Sequence, residues 1–132
     1  MNKAIRFAGM LVPAFILAGL VTNTIMAQDA AKIAPFSYTA SPEVYKLLAE
    51  NEQFRVILQT SKPGQRDAFH SHFAAAVYRL GDCTARIYSP DGKPGNTVTR
   101  KAGEASLQSA VASHSFENTG KTDCVAVIVE RK

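Results

Sequence analysis

The chain has no dense lysine and arginine stripe with aromatics between, so nucleic acid is a poor candidate partner. It has no Gly-rich phosphate loop, no Ser-His-Asp arrangement and no paired-carboxylate acid/base set. The chemistries that rest on those arrangements have no foothold here. Internal repeats and low-complexity tracts are also absent. No helical pattern alternates with the strand-like runs, which disfavours a parallel α/β sheet. Cysteine is scarce, at two residues, and histidine nearly so, at three. The 132 residues suffice for one domain.

Charge is missing altogether from Ala8 to Met26. Lys3 and Arg6 precede this apolar stretch, and the small Ala27 closes it before Gln28 and Asp29. That order reads as a secretory signal over residues 1–27 with cleavage after Ala27. An uncleaved anchor is the competing reading, but the span is barely long enough, and Pro13 and Thr22-Asn23-Thr24 weaken it. Cleavage removes two positive charges and no negative one, so the net charge falls from +4 to +2. The mature chain is then expected in the periplasm or outside the cell, with no stable membrane insertion. Cys83 and Cys124 would meet an oxidising space there, and a disulfide or two buried thiols both stay open.

Residues 28–52 read as a lead-in and a short helix. Ser41-Pro42-Glu43 has the form of a helix start, with Ser at the N-cap and Pro next. Val44, Leu47 and Leu48 follow at helical spacing, so the helix is expected over Pro42 to Glu50. Residues 53–132 change to strand-like runs with turn punctuation. These are Phe54 to Thr60, Ala68 to Leu80 with a bend near Phe73, and Cys83 to Tyr88. Asn96 to Arg100, Ser106 to Phe116 and Cys124 to Glu130 complete the set. Six or seven strands at this spacing predict an all-β, antiparallel sandwich or barrel.

All three histidines fall in two short segments, His70-Ser71-His72 and His114. Residues i and i+2 of a strand point to one face, so His70 and His72 can share one metal as adjacent ligands. His114, on a distant strand, can complete a face of three nitrogens. Such a set suits zinc, iron, nickel, copper or manganese.

With these residues placed, the stretch from about Arg55 to Glu130 resembles a small single-domain cupin. Gly64, five residues, and His70-x-His72 match the first cupin motif, with Gly81 at the strand-ending glycine. His114, three residues, and Asn118 match the second. The resemblance implies an antiparallel jelly-roll β-barrel, metal ligation by His70, His72 and His114, and a homodimer. Two positions depart from the pattern. Cupins usually carry a glutamate three or four residues after His-x-His, where this chain has Ala76 and Val77. The second motif usually opens Pro-x-Gly, where Ser109 and Val111 stand here.

Three neutral imidazoles leave a divalent ion its full charge, which favours a small anionic ligand or substrate in the open positions. Strand parity counted from His72 turns Ala74, Ala76, Tyr78 and Leu80 inward, and makes Tyr78 a candidate proton donor. Parity from His114 brings Gln108 inward. Arg55, Arg79 and Arg86 are strand arginines, any of which can hold a carboxylate. Asn118 is expected to serve the turn with Gly120. Three functions stay open. One is a metal-dependent dioxygenase, isomerase or lyase. Another is a non-catalytic module binding a metal or small molecule. The last is a degenerate jelly roll with no bound metal.

Overall fold

A computed structural model describes residues 33–132. The signal segment expected over residues 1–27 lies outside the described residues. From Phe36 the chain makes one helical turn, α1 (Ser37–Ala40), and then only strands. These are β1 (Tyr45–Glu50), β2 (Phe54–Ser61), β3 (His70–His72), β4 (Ala75–Arg79) and β5 (Cys83–Tyr88). β6 (Pro94–Arg100), β7 (Ala105–Gln108), β8 (Val111–Asn118) and β9 (Cys124–Arg131) follow.

The strands form two sheets, β1-β2-β9-β4-β7 and β3-β8-β5-β6. All the strand pairings are antiparallel. From β2 onward the chain keeps changing sheets, with β2, β4, β7 and β9 in one and β3, β5, β6 and β8 in the other. This is an antiparallel jelly roll, as the cupin resemblance implied, and it fits the antiparallel sandwich or barrel that the strand spacing predicted. Alternation fixes which side chains enter the core. Along β2, Ile57 and Gln59 are buried, and along β9, Cys124, Ala126, Ile128 and Glu130 are. Ile57, Val77, Ala126 and Ile128 pack with Val44 and Tyr45 as the main apolar cluster. Turn residues do what their type allows. Gly92 takes a φ of 80°, open to glycine without strain, and its N–H closes the β5–β6 turn onto Ser89 O at 2.8 Å.

The helix expected over Pro42 to Glu50 does not form. Tyr45–Glu50 is instead an edge strand paired with β2 from Tyr45↔Gln59 to Glu50↔Arg55. Ser41 is used differently from a helix cap. Its Oγ accepts the Ala68 N–H at 2.9 Å, and its carbonyl accepts from Val44 and Tyr45. The apolar positions Tyr45 and Leu47 are two apart, so they serve a strand face as readily as a helix stripe.

Cys83 of β5 and Cys124 of β9 form a disulfide, with their Cα atoms 4.7 Å apart. It joins one sheet to the other beside Ala85 and Phe116.

Candidate metal centre

The three histidines come together through strand register. β3 pairs with β8 so that His70 lies opposite His114, and His72 shares the inner face with His70. His70 is fully buried and His72 nearly so, while His114 is half-buried. Their Nε2 atoms converge: His70 to His72 is 2.9 Å and His70 to His114 is 2.9 Å. The three ligand atoms all lie within 4.8 Å of one another.

The other ring nitrogens determine what these Nε2 atoms are. His70 Nδ1 lies 2.9 Å from the Ala68 carbonyl, which can only accept, so Nδ1 carries the hydrogen. His72 Nδ1 lies 2.5 Å from Glu130 Oε1, a buried carboxylate acceptor. In neutral rings both Nε2 atoms therefore present lone pairs to each other. Burial holds His70 down to about 4 and His114, also facing the other two rings, to about 3. Protonation of His70 or His114 is thus a poor way to relieve the repulsion near neutral pH, and a cation is a good one. An ion about 2.1 Å from each nitrogen puts ligands at right angles about 3.0 Å apart. The two 2.9 Å edges fit that spacing.

A second layer braces the trio. The Tyr45 ring centroid is 5.0 Å from that of His70 and 6.0 Å from that of His72. Tyr45 donates its hydroxyl to Asp67 Oδ2 at 2.8 Å, and the Phe116 N–H donates to Asp67 Oδ1 at 2.7 Å. Burial raises Asp67 to about 6, and burial together with Asp67 pushes Tyr45 well above its ordinary value. Tyr45 therefore keeps its proton and acts as a donor. Asp67 Oδ1 is 3.5 Å from His70 Nδ1, so this buried pair also steadies the first ligand.

His72 and His114 form part of the wall of a cavity of about 320 Å³ between the sheets. Val77, Ile87, Val98, Phe116 and Ile128 make much of its lining apolar. Gln59, Arg79, Arg100, Ser106 and Gln108 supply the polar remainder with Tyr45. The exposed strands β6 and β7 flank its open side.

Among solved structures, a cupin-domain protein from Bordetella pertussis Tohama I matches with a TM-score of 0.60 at 20% identity, over 75% of this chain and 96% of its own. An RmlC-like cupin family protein with a double-stranded β-helix fold, from Methanocaldococcus jannaschii, matches with a TM-score of 0.53 at 12% identity, over 67% and 78%. The fold is a cupin fold. A double-stranded β-helix protein from Klebsiella pneumoniae matches as well, with a TM-score of 0.51 at 20% identity, over 65% and 73%. No family model and no curated protein matches the sequence.

The two cupin motifs touch in this fold. The Gly64 N–H donates to the Asn118 carbonyl at 2.8 Å, and Gly64 takes a φ of 76° at the turn before β3. Asn118 serves the turn, as expected: its amide donates to Ser61 O and Thr122 O, and its Oδ1 accepts the Gly120 N–H. Of the two positions where the cupin pattern puts a glutamate, Val77 faces the cavity and Ala76 faces out. A carboxylate is nevertheless close at hand. Glu130 supplies it from β9, behind His72 rather than as a further ligand, so the site is less cationic than three imidazoles alone suggest.

The orientation expected for Tyr78 is corrected. Tyr78 is 49% exposed on the outer face of β4, and Ala74, Ala76 and Leu80 are exposed with it. The chain leaves one sheet at His72 and joins the other at Ala75, and this crossing shifts the inward parity by one residue. Ala75 and Val77 are the buried side chains of β4, and Arg79 lines the cavity with Val77. Gln108 does line the cavity. Arg55 instead stacks over Phe36, 4.2 Å from the ring centroid, and Arg86 donates to Thr97 on β6. Glu130, Tyr45, Asp67 and Arg100 went unnoticed in the sequence. For Glu130 a signal existed, since it falls on the buried alternation of β9 that begins at Cys124.

Proposed function

We propose that this chain is an exported cupin that binds one divalent transition metal through His70, His72 and His114 and offers it to a small anionic ligand in the cavity. The observation that carries the reading is the convergence of three Nε2 atoms, at least two of them with their lone pairs turned together by fixed Nδ1 partners. Zinc, iron, nickel, copper and manganese all suit the donor set. Once bound, such an ion supplies Lewis acidity toward an oxygen, nitrogen or sulfur ligand. The chain's own residues hold and shield that position. Glu130 and the Ala68 carbonyl orient two of the imidazoles, and Tyr45 packs against the same two rings. The disulfide supports export, because such bonds persist in oxidising compartments.

One observation favours a non-catalytic binding module as the second reading. Among the described residues, no Asp or Glu lines the cavity, so no side-chain carboxylate stands ready there as a general base.

The test is metal analysis of the untagged protein, before and after reconstitution, beside His70→Ala and His114→Ala. One equivalent in the parent and loss in both variants is expected. No stoichiometric metal in the reconstituted parent overturns the proposal. Turnover of small thiols, acids or diketones by the loaded protein would decide against the binding module.

A further inference from the structure

The wall of the same cavity also carries two arginines from opposite sheets. Arg79 ends β4 and Arg100 ends β6, and both line the cavity that reaches His72 and His114. Among the described residues, neither guanidinium forms an ion pair. Arg79 Nη1 donates to Gln59 Oε1 at 3.3 Å, whereas its Nε is buried with no partner. Glu104 borders the adjoining hollow with both arginines, but it lies beyond ion-pair reach of either. Burial first and then the charge of Arg100 lower Arg79, while Tyr45 and Glu104 act the other way, so the two guanidiniums feel each other with only partial compensation. The cost of the like charges falls mainly on the more buried Arg79, and an anion held by both guanidiniums offsets it.

We propose that Arg79 and Arg100 form a carboxylate clamp, so that the ligand of this cavity is a small carboxylic acid with an apolar body. The inference rests on the proposed function only for the histidine cluster, which would take a second group of the same molecule. Planar guanidinium donors suit a carboxylate, and Gln59 steadies the one on Arg79. Val77, Ile87, Val98, Phe116 and Ile128 form the apolar walls in between. At about 30 Å³ for each water's share of liquid volume, the cavity has room for roughly ten waters, or for about ten non-hydrogen atoms of a ligand.

The test uses octanoate and its neutral isostere octanamide, titrated by calorimetry into the full chain after metal removal, so that the clamp acts alone. Octanoate is expected to bind more tightly than octanamide by roughly tenfold or more, the scale of charge-assisted hydrogen bonds. Arg100→Gln, at an exposed position that leaves the core intact, is expected to erase most of that preference, and Arg79→Gln likewise. Equal affinity for the two probes, no binding of octanoate, or a preference unchanged in both variants overturns the clamp. The two proposals fail separately. A preference for octanoate in a protein that takes up no metal sinks the metal reading and keeps the clamp. Stoichiometric metal without that preference does the reverse.

Discussion

Replacing Glu130 with glutamine keeps the shape of the side chain and removes its charge. The parent carboxylate is fully buried, accepts from His72 Nδ1 at 2.5 Å through one oxygen, and leaves the other oxygen without a partner. Losing an outer-shell carboxylate behind a ligating histidine costs roughly ten- to a hundredfold in metal affinity. With free metal at a hundredfold excess over Kd, binding stabilises the fold by about 2.7 kcal/mol. A tenfold weaker site retains about 1.4 kcal/mol of that, and a hundredfold weaker site about 0.4 kcal/mol. At about 4–8 °C per kcal/mol for a domain near this size, the metal-induced rise in Tm shrinks from about 11–22 °C to about 6–11 °C, or to a few degrees. The metal-free fold should not suffer. A buried charge with one partner is unfavourable to begin with, so Glu130→Gln holds or raises the metal-free Tm. The assay is calorimetric melting with and without metal, beside chelator competition for Kd. An unchanged metal-induced rise would refute the argument that Glu130 acts through His72. A metal-free Tm that falls by several degrees would show Glu130 to be part of the packing instead.

Other substitutions probe the rest of the framework. Opening the Cys83–Cys124 bond, which closes a loop with a sequence separation of 41, costs about 4 kcal/mol in the chain-entropy account. Reduction should therefore lower the urea midpoint sharply, and a midpoint that stays put would mean the bond carries no such constraint. Tyr45→Phe strips the donor from Asp67 Oδ2 in the core and should cost roughly 1–3 kcal/mol in urea unfolding of the metal-free protein. An unchanged midpoint would show that the hydroxyl contributes nothing. Tyr78→Phe should leave metal affinity unaltered and stability within about 0.5 kcal/mol, because its side chain faces solvent. A weakened site in that variant would contradict its outward placement.

The histidine trio was legible because its geometry follows from local rules: two ligands two residues apart on a strand, and a third on a strand that register brings opposite. Strand extents were legible too where turn residues bracket them, as at Cys83–Tyr88. What failed was propagation of parity through a crossing. Counting by twos from His72 holds only while the chain stays in one sheet, and it leaves that sheet after His72. The helix expected from Pro42 failed for a related reason. Its start signals are real, but the hydrogen-bond partner for Ser41 is Ala68, a residue that only the tertiary fold brings near. Glu130 lies 58 residues from His72, and such a pairing has no local signature. A charged residue on the buried alternation of β9 was the one trace it left.

The disulfide has a consequence beyond stability. Cys83 belongs to one sheet, Cys124 to the other, and Cys83 is itself part of the cavity wall. The distance between the sheets is thus fixed covalently at that point, while β6 and β7 stand exposed at the open side. Cys83 pairs with Arg100 across β5 and β6, so the covalent tie sits beside the arginine wall of the cavity. The oxidation state of two cysteines thus decides whether the two sheets that enclose the cavity are tied together at that wall.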